Sequence, residues 1–289
     1  MSVRKRVNDS RMEPSRSASP TWWLVFKNEL HDLWIGGRAL PFLLTYTIVV
    51  GIGSFLAVRS SQLDLIPPKE MVFSLVRTSI YLGVFMGVIL GADSLSGSRE
   101  RAVLEPLLLT PASRRQIVIG KFLASISPWP VAMAVSLPCL AGLSQGDAIL
   151  GPNLLWGMLV GSLLVLGFVG LGMLVSFWST SNTTSLFVSL CLFLLFLLPA
   201  LLPGRAQKGM VGKFFQRVNP LAAADEFLEK IVVNNRTLQE FGSWLKVPIV
   251  FPILILGLLL LYAGPRLRLQ AGRARMSRQH WGRVARASA

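Results

Sequence analysis

Long apolar runs alternate with short polar stretches along this chain. Leu40 to Val58, Met71 to Ala92, Ile117 to Leu143, Pro152 to Trp178, Thr184 to Pro203 and Pro248 to Gly264 each approach or exceed the about 20 apolar residues that a helix needs to cross a bilayer. The pattern predicts an all-α membrane protein with six transmembrane helices. Ahead of the first run, "TWWLVFKNELHDLWIGG" sets Trp22, Trp23, Phe26, Leu30, Leu33 and Trp34 to one side, and Lys27, Asn28, His31 and Asp32 to the other. That spacing predicts an amphipathic interfacial helix within 21–38, its tryptophans at the apolar boundary. Between the fifth and sixth runs, Phe227, Leu228, Ile231 and Val232 recur at helical spacing, as do Leu238, Phe241, Trp244 and Leu245. Two short amphipathic helices on the outer face follow from that recurrence.

Composition sharpens the picture. Charged residues make up 15% of the chain, against about 25% in a soluble domain, and the mean hydropathy is +0.56. A net charge of +15 in a soluble protein would suggest nucleic acid, but here the basic residues flank the spans. Anionic membrane lipids, not nucleic acid, are the partners that distribution implies. Residues 1–20 are basic and rich in Ser and Pro and lack a signal peptide's apolar segment. They read as a disordered tail, either merely solvated or lipid-binding, and 265–289 form a second basic tail. Positive charge in both tails and at Arg99, Arg101, Arg114 and Arg115 puts both termini and the loop between spans two and three in the cytoplasm. Two termini on one side require an even number of spans. The segment 204–247 then lies outside despite its seven Lys and Arg, which Asp225, Glu226, Glu229 and Glu240 partly offset.

Candidate chemistry is sparse. Cys139 and Cys191 fall inside predicted spans, and His31 and His280 lack ligand partners nearby, so neither a disulfide framework nor a metal site is expected. No cofactor motif occurs; "IGKF" lacks the preceding glycine and following hydroxyl of a phosphate loop. Arg77 reads as the only ionisable residue deep in a span, close enough to the outer end to snorkel, with Asp93 at the inner end of the same helix. Ion coupling by this chain alone is therefore not expected. Gly83, Gly87 and Gly91 stand four residues apart in the second span, and Gly157 and Gly161 repeat the spacing in the fourth. Small residues so placed let another helix approach closely, within the chain or in a second subunit. Pro128, Pro130 and Pro138 bend the third span.

The most distinctive stretch is "RERAVLEPLLLTPASRRQIVIGK", Arg99 to Lys121. Pro106 forces a bend near Glu105, a short apolar-faced helix follows to Leu109, and Ser113 with Gln116 three residues on has the form of a capping box. Leu104, Leu107, Leu108 and Leu109 make an apolar knob between basic anchors. From spacing alone it dips into lipid or inserts into a groove on a soluble partner.

The same stretch resembles the cytoplasmic loop of the type-2 family of ABC export permeases, with its pattern E-R-x-x-x-L-E-x-L-L-x-[ST]-P-x-S-R-x-x-I-x-x-G-K. Glu100, Arg101, Leu104, Glu105, Leu107, Leu108, Thr110, Pro111, Ser113, Arg114, Ile117, Gly120 and Lys121 match it, while Ala102 and Val103 stand where the family often has Gly-Thr. "FKNELHDLW" and "VNPL" resemble the family's N-terminal helix and the start of its outer loop. The resemblance implies a permease subunit of the inner (cytoplasmic) membrane, paired with a second copy or a paralogue and with a separate ABC ATP-binding subunit. The residues from Glu100 to Arg114 would then form the coupling helix that meets that ATPase. The competing expectation is an ATP-independent scaffold or channel-like protein whose loop binds lipid.

Overall fold

The computed structural model describes residues 21–59, 67–101, 113–144, 150–201, 209–233 and 238–266. Among them are α1 (Thr21–Trp34), α2 (Leu40–Arg59), α3 (Pro68–Glu100), α4 (Arg114–Ile126), α5 (Pro128–Ser144), α6 (Leu150–Trp178), α7 (Asn182–Leu201), α8 (Met210–Val218), α9 (Pro220–Leu228) and α10 (Leu238–Arg266), with a π-helical turn at Glu229–Val233. No strand occurs among the described residues. Six stretches are long and apolar enough to cross a membrane: α2, α3, α4 with α5, α6, α7 and α10.

The elements start and stop for local reasons. At the head of α4 the amide of Gln116 donates to Ser113 Oγ at 3.3 Å and the amide of Ser113 donates to Gln116 Oε1 at 3.0 Å. This is the reciprocal cap expected from the sequence. The third span breaks at Ser127 because Pro128 and Pro130 supply no amide hydrogens to continue the ladder. Gly37, at φ 74°, turns the chain from α1 into α2 in a conformation that other residues resist. Asn219 caps α9, its Oδ1 accepting from the amides of Leu221 and Ala222 at 2.9 and 3.3 Å.

Three elements differ from the periodicity reading. The second span is expected to end at Ala92, yet α3 runs on to Glu100. There Ser94, Ser96 and Ser98 each donate to a carbonyl three or four residues back at 2.7 Å, so the helix carries its hydroxyls without exposing them. The second short helix between spans five and six is not separate, since Leu238 to Leu245 are the opening turns of α10. The buried stripe of α1 is Val25, Glu29 and Leu33, whereas Trp23 faces out, because α1 lies against α4. A Cβ at Gly120 of α4 would stand 3.0 Å from both the Phe26 amide nitrogen and the Trp22 carbonyl oxygen.

The core is the contact between α3 and α6. Of their membrane-spanning stretches 56% and 67% are buried, against 22% for each of α2, α7 and α10. A Cβ at Gly91 would lie 2.3 Å from the Val169 carbonyl oxygen, and one at Gly172 would lie 2.3 Å from that of Val88, so the two backbones touch. Gly87 faces Val165 and Val169, and Gly157 faces Val76. Gly83 and Gly161 form the slot for Trp129 of α5, whose ring would be 2.3 and 2.5 Å from added Cβ atoms and whose indole donates to Ser162 Oγ at 3.0 Å. All five glycines singled out in the sequence thus face neighbours within the same chain.

Gly91→Val and Gly172→Val should each lower stability by about 3 kcal/mol, the upper range for overpacking, because backbone cannot yield as a side chain can. Gly257→Val, with open space around it, should leave the thermal unfolding midpoint in detergent within experimental error.

Candidate functional site

The leucine-bearing segment 102–112 lies in sequence between the end of α3 and the start of α4, and ionic contacts fix both of those helices. Asp93, about two turns before the end of α3, is the hub. Its Oδ2 accepts from Arg38 Nη1 and Arg101 Nη2, each at 3.1 Å, and its Oδ1 accepts from Asn182 Nδ2 at 2.9 Å. Arg38 also reaches Asp32 at 3.5 Å, so the same carboxylate ties the α1–α2 junction to the loop's first anchor.

Glu100 and Arg99 bind the turn between α6 and α7. The amide of Asn182, in the first turn of α7, donates to Glu100 Oε1 at 2.6 Å. A carboxylate there also meets the positive end of the helix dipole. Arg99 Nη1 donates to the Ser179 carbonyl at 3.2 Å. Ser96 completes the junction, its amide donating to Ser176 Oγ at 2.7 Å and its hydroxyl oxygen lying 2.8 Å from Asn182 Oδ1. The end of α3 is therefore tied to the α1–α2 junction, to α6 and to α7 together.

The other anchor rests on a buried ion pair. Lys121, 1% exposed, donates from Nζ to Glu29 Oε1 of α1 and, at 2.8 Å, to Ser98 Oγ of α3. A lysine so enclosed requires a carboxylate beside it, because a lone charge in low dielectric costs several kcal/mol. The pair accordingly joins α1, α3 and α4. Trp34 adds a bond to Ser127 Oγ at 3.1 Å.

Of the loop residues singled out from sequence, Glu100, Arg101, Ser113 and Arg114 are among these anchors or next to them, whereas Leu104, Glu105, Leu107, Leu108, Thr110 and Pro111 lie outside the described residues. The sequence reading missed Glu29, Arg38, Asp93 as a hub, Asn182 and the burial of Lys121. A lysine eight residues past the cap of α4, inside the apolar stretch from Ile117 to Ile126, and a glutamate on the apolar side of α1, were the available signals. Arg77 is a correction. It does not snorkel away from the protein but pairs with Asp225 of α9 at 3.1 Å and donates to the Tyr81 hydroxyl. Nor is it the only ionisable residue deep in a span, since Lys121 lies inside the third.

Residues 25–263 match the family model described as ABC-2 family transporter protein. A curated relative, the "Probable ABC transporter permease protein NosY" of Pseudomonas aeruginosa, is 28% identical over 177 residues, which is 57% of this chain and 62% of that protein. The protein of the same name in Stutzerimonas stutzeri is 28% identical over 123 residues, 41% of this chain and 44% of its own. The aligned region thus spans less than two thirds of the length of each of these relatives.

Breaking the Lys121–Glu29 pair should be far worse than replacing it. Lys121→Met and Glu29→Leu should each cost about 3–5 kcal/mol by stranding a buried charge, while the double variant should recover most of the loss. Thermal unfolding of the four proteins in one detergent measures the coupling.

Proposed function

The chain belongs to the ABC-2 family of transporter proteins, and we propose that it is the membrane-spanning permease subunit of an ATP-driven exporter. Hydrolysis takes place on a separate ATP-binding subunit, since no phosphate-loop motif occurs in this sequence. The permease works with a second copy of itself or a paralogue, in the cytoplasmic membrane, with both termini on the cytoplasmic side.

The observation that carries this reading is the framing of the segment 102–112. It hangs between Arg101, bonded to the Asp93 hub, and Ser113, the cap of α4. A segment so framed would deliver a push to several elements at once: to the α1–α2 junction through Arg38, to α7 through Asn182, and to α1 through Lys121 and Glu29. A lipid-bound loop has no need of such mounting, whereas a coupling element does. In this reading Leu104, Leu107 and Leu108 enter an apolar groove on the ATPase, Glu100, Arg101, Ser113 and Arg114 hold the frame, and Glu105, Thr110 and Pro111 shape the loop and its rim contacts.

Leu107→Asp and Leu108→Asp should reach the membrane at normal levels yet lose copurification of the ATP-binding subunit by tenfold or more, because a charge would enter a groove without a partner for it. Retention of that subunit by both variants would instead favour the lipid-binding scaffold. Topology is checked independently with single cysteines: one at Ser288 should react from the cytoplasmic side only, and one at Ser243 from the outside only.

A further inference from the structure

The outward surface of the spans is largely apolar, but one groove in it has a polar wall. It lies between α2, α3 and the end of α5 and encloses about 440 Å³, within the size range of sites that take a small molecule. Val49, Gly53 and Leu56 of α2 form one side, and the buried Leu75 and Leu143 lie at the base. A Cβ on Gly53 would meet nothing within 4 Å, so the space beside it is open. The facing side carries Glu70, Ser74 and Thr78, which follow one another a turn apart along α3 and so share a face. Glu70 is exposed and stands in the first turn of that helix.

We infer that this groove binds a lipophilic cation, an onium ion or protonated amine on an apolar body, with the charge at Glu70 and the body against α2. The inference rests on the permease reading only in making such a molecule a cargo; the binding itself stands apart from it.

The sign of the ligand's charge follows from what the polar side offers. Thr78 donates its hydroxyl hydrogen to the Ser74 carbonyl at 2.9 Å, which leaves oxygen lone pairs as its remaining capacity. Glu70 makes no ion pair among the described residues. Of the neighbouring cations, Arg77 pairs with Asp225 and Arg59 lies over the Phe55 ring, 5.7 Å from its centre. Lys69 is turned about 100° around α3 from Glu70, away from Ser74, and neither it nor Arg59 lines the groove. The groove therefore presents one carboxylate and hydroxyl oxygens, all acceptors. A carboxylate beside apolar walls attracts a cation more strongly than one in open water, because the lower dielectric weakens the attraction less. A phosphate headgroup would be repelled there. An acyl chain or an apolar helix of a second subunit would leave the acceptors without a partner, at a cost in free energy.

Binding of tetraphenylphosphonium to the full-length protein in phosphatidylcholine nanodiscs, measured above that to empty discs, tests the groove without an ATPase. Its outcome and that of the copurification test are independent. The protein should bind this cation saturably and should show no saturable binding of tetraphenylborate, which has nearly the same shape and the opposite charge. Glu70→Gln should weaken the binding about tenfold, which one charge at close range supplies in a partly apolar setting. Gly53→Leu should abolish it by filling the groove, whereas Gly257→Leu, which also projects into open space but on α10, should bind as wild type. The thermal unfolding midpoints of all three variants should match that of the wild type. Absence of saturable binding, equal binding of the two ions, or wild-type affinity in either Glu70→Gln or Gly53→Leu would overturn the proposal. A changed number of copies per particle in Gly53→Leu would mark the groove as a contact between subunits and overturn it as well.

Discussion

The backbone contact between α3 and α6 is the constraint around which the rest of the molecule is arranged. Gly91 and Gly172 each face a carbonyl of the opposite helix, leaving no room for a side chain between them. Helices in a bilayer gain little from hiding apolar surface from one another, so close packing has to supply the attraction. With these two helices joined, α5 fills the adjoining slot with Trp129, and α2, α7 and α10 remain at the periphery with most of their surface turned outward.

Because α3 is a single helix of 33 residues, it carries two charged groups near its opposite ends. Asp93 gathers Arg38, Arg101 and Asn182 at one end, and Arg77 with Tyr81 receives Asp225 at the other. Both sites obey the same rule. A charge drawn out of water must be met by an opposite charge and by hydrogen bonds to its remaining lone pairs or protons, or the structure loses several kcal/mol. Lys121 is the strictest case, enclosed with one carboxylate and one hydroxyl. Such contacts add little net stability over a well-packed apolar substitute, but they specify which helices meet and at what register.

The two ends differ in what their charges do. Around Asp93 two arginines and an asparagine surround one carboxylate and join the end of α3 to the α1–α2 junction and to α7. Around Asp225 a single arginine and a tyrosine hydroxyl meet one half-buried carboxylate beside a polar cavity.

Much of the fold was legible along the chain. Apolar run length determined the six spanning stretches, prolines located the break between α4 and α5, the Ser113–Gln116 spacing set the start of α4, and the four-residue spacing of glycines marked the close-packed faces. These signals act over one or two helical turns, so neighbours in sequence are enough to express them. Tertiary structure alone decided the partners. Arg38 and Asp93 are separated by 55 positions, Glu29 and Lys121 by 92, and Tyr81 and Asp225 by 144. No local period encodes such pairings. Which charge meets which depends on how the helices stack, and that was settled by the shape of the glycine faces and the cost of leaving any buried charge alone.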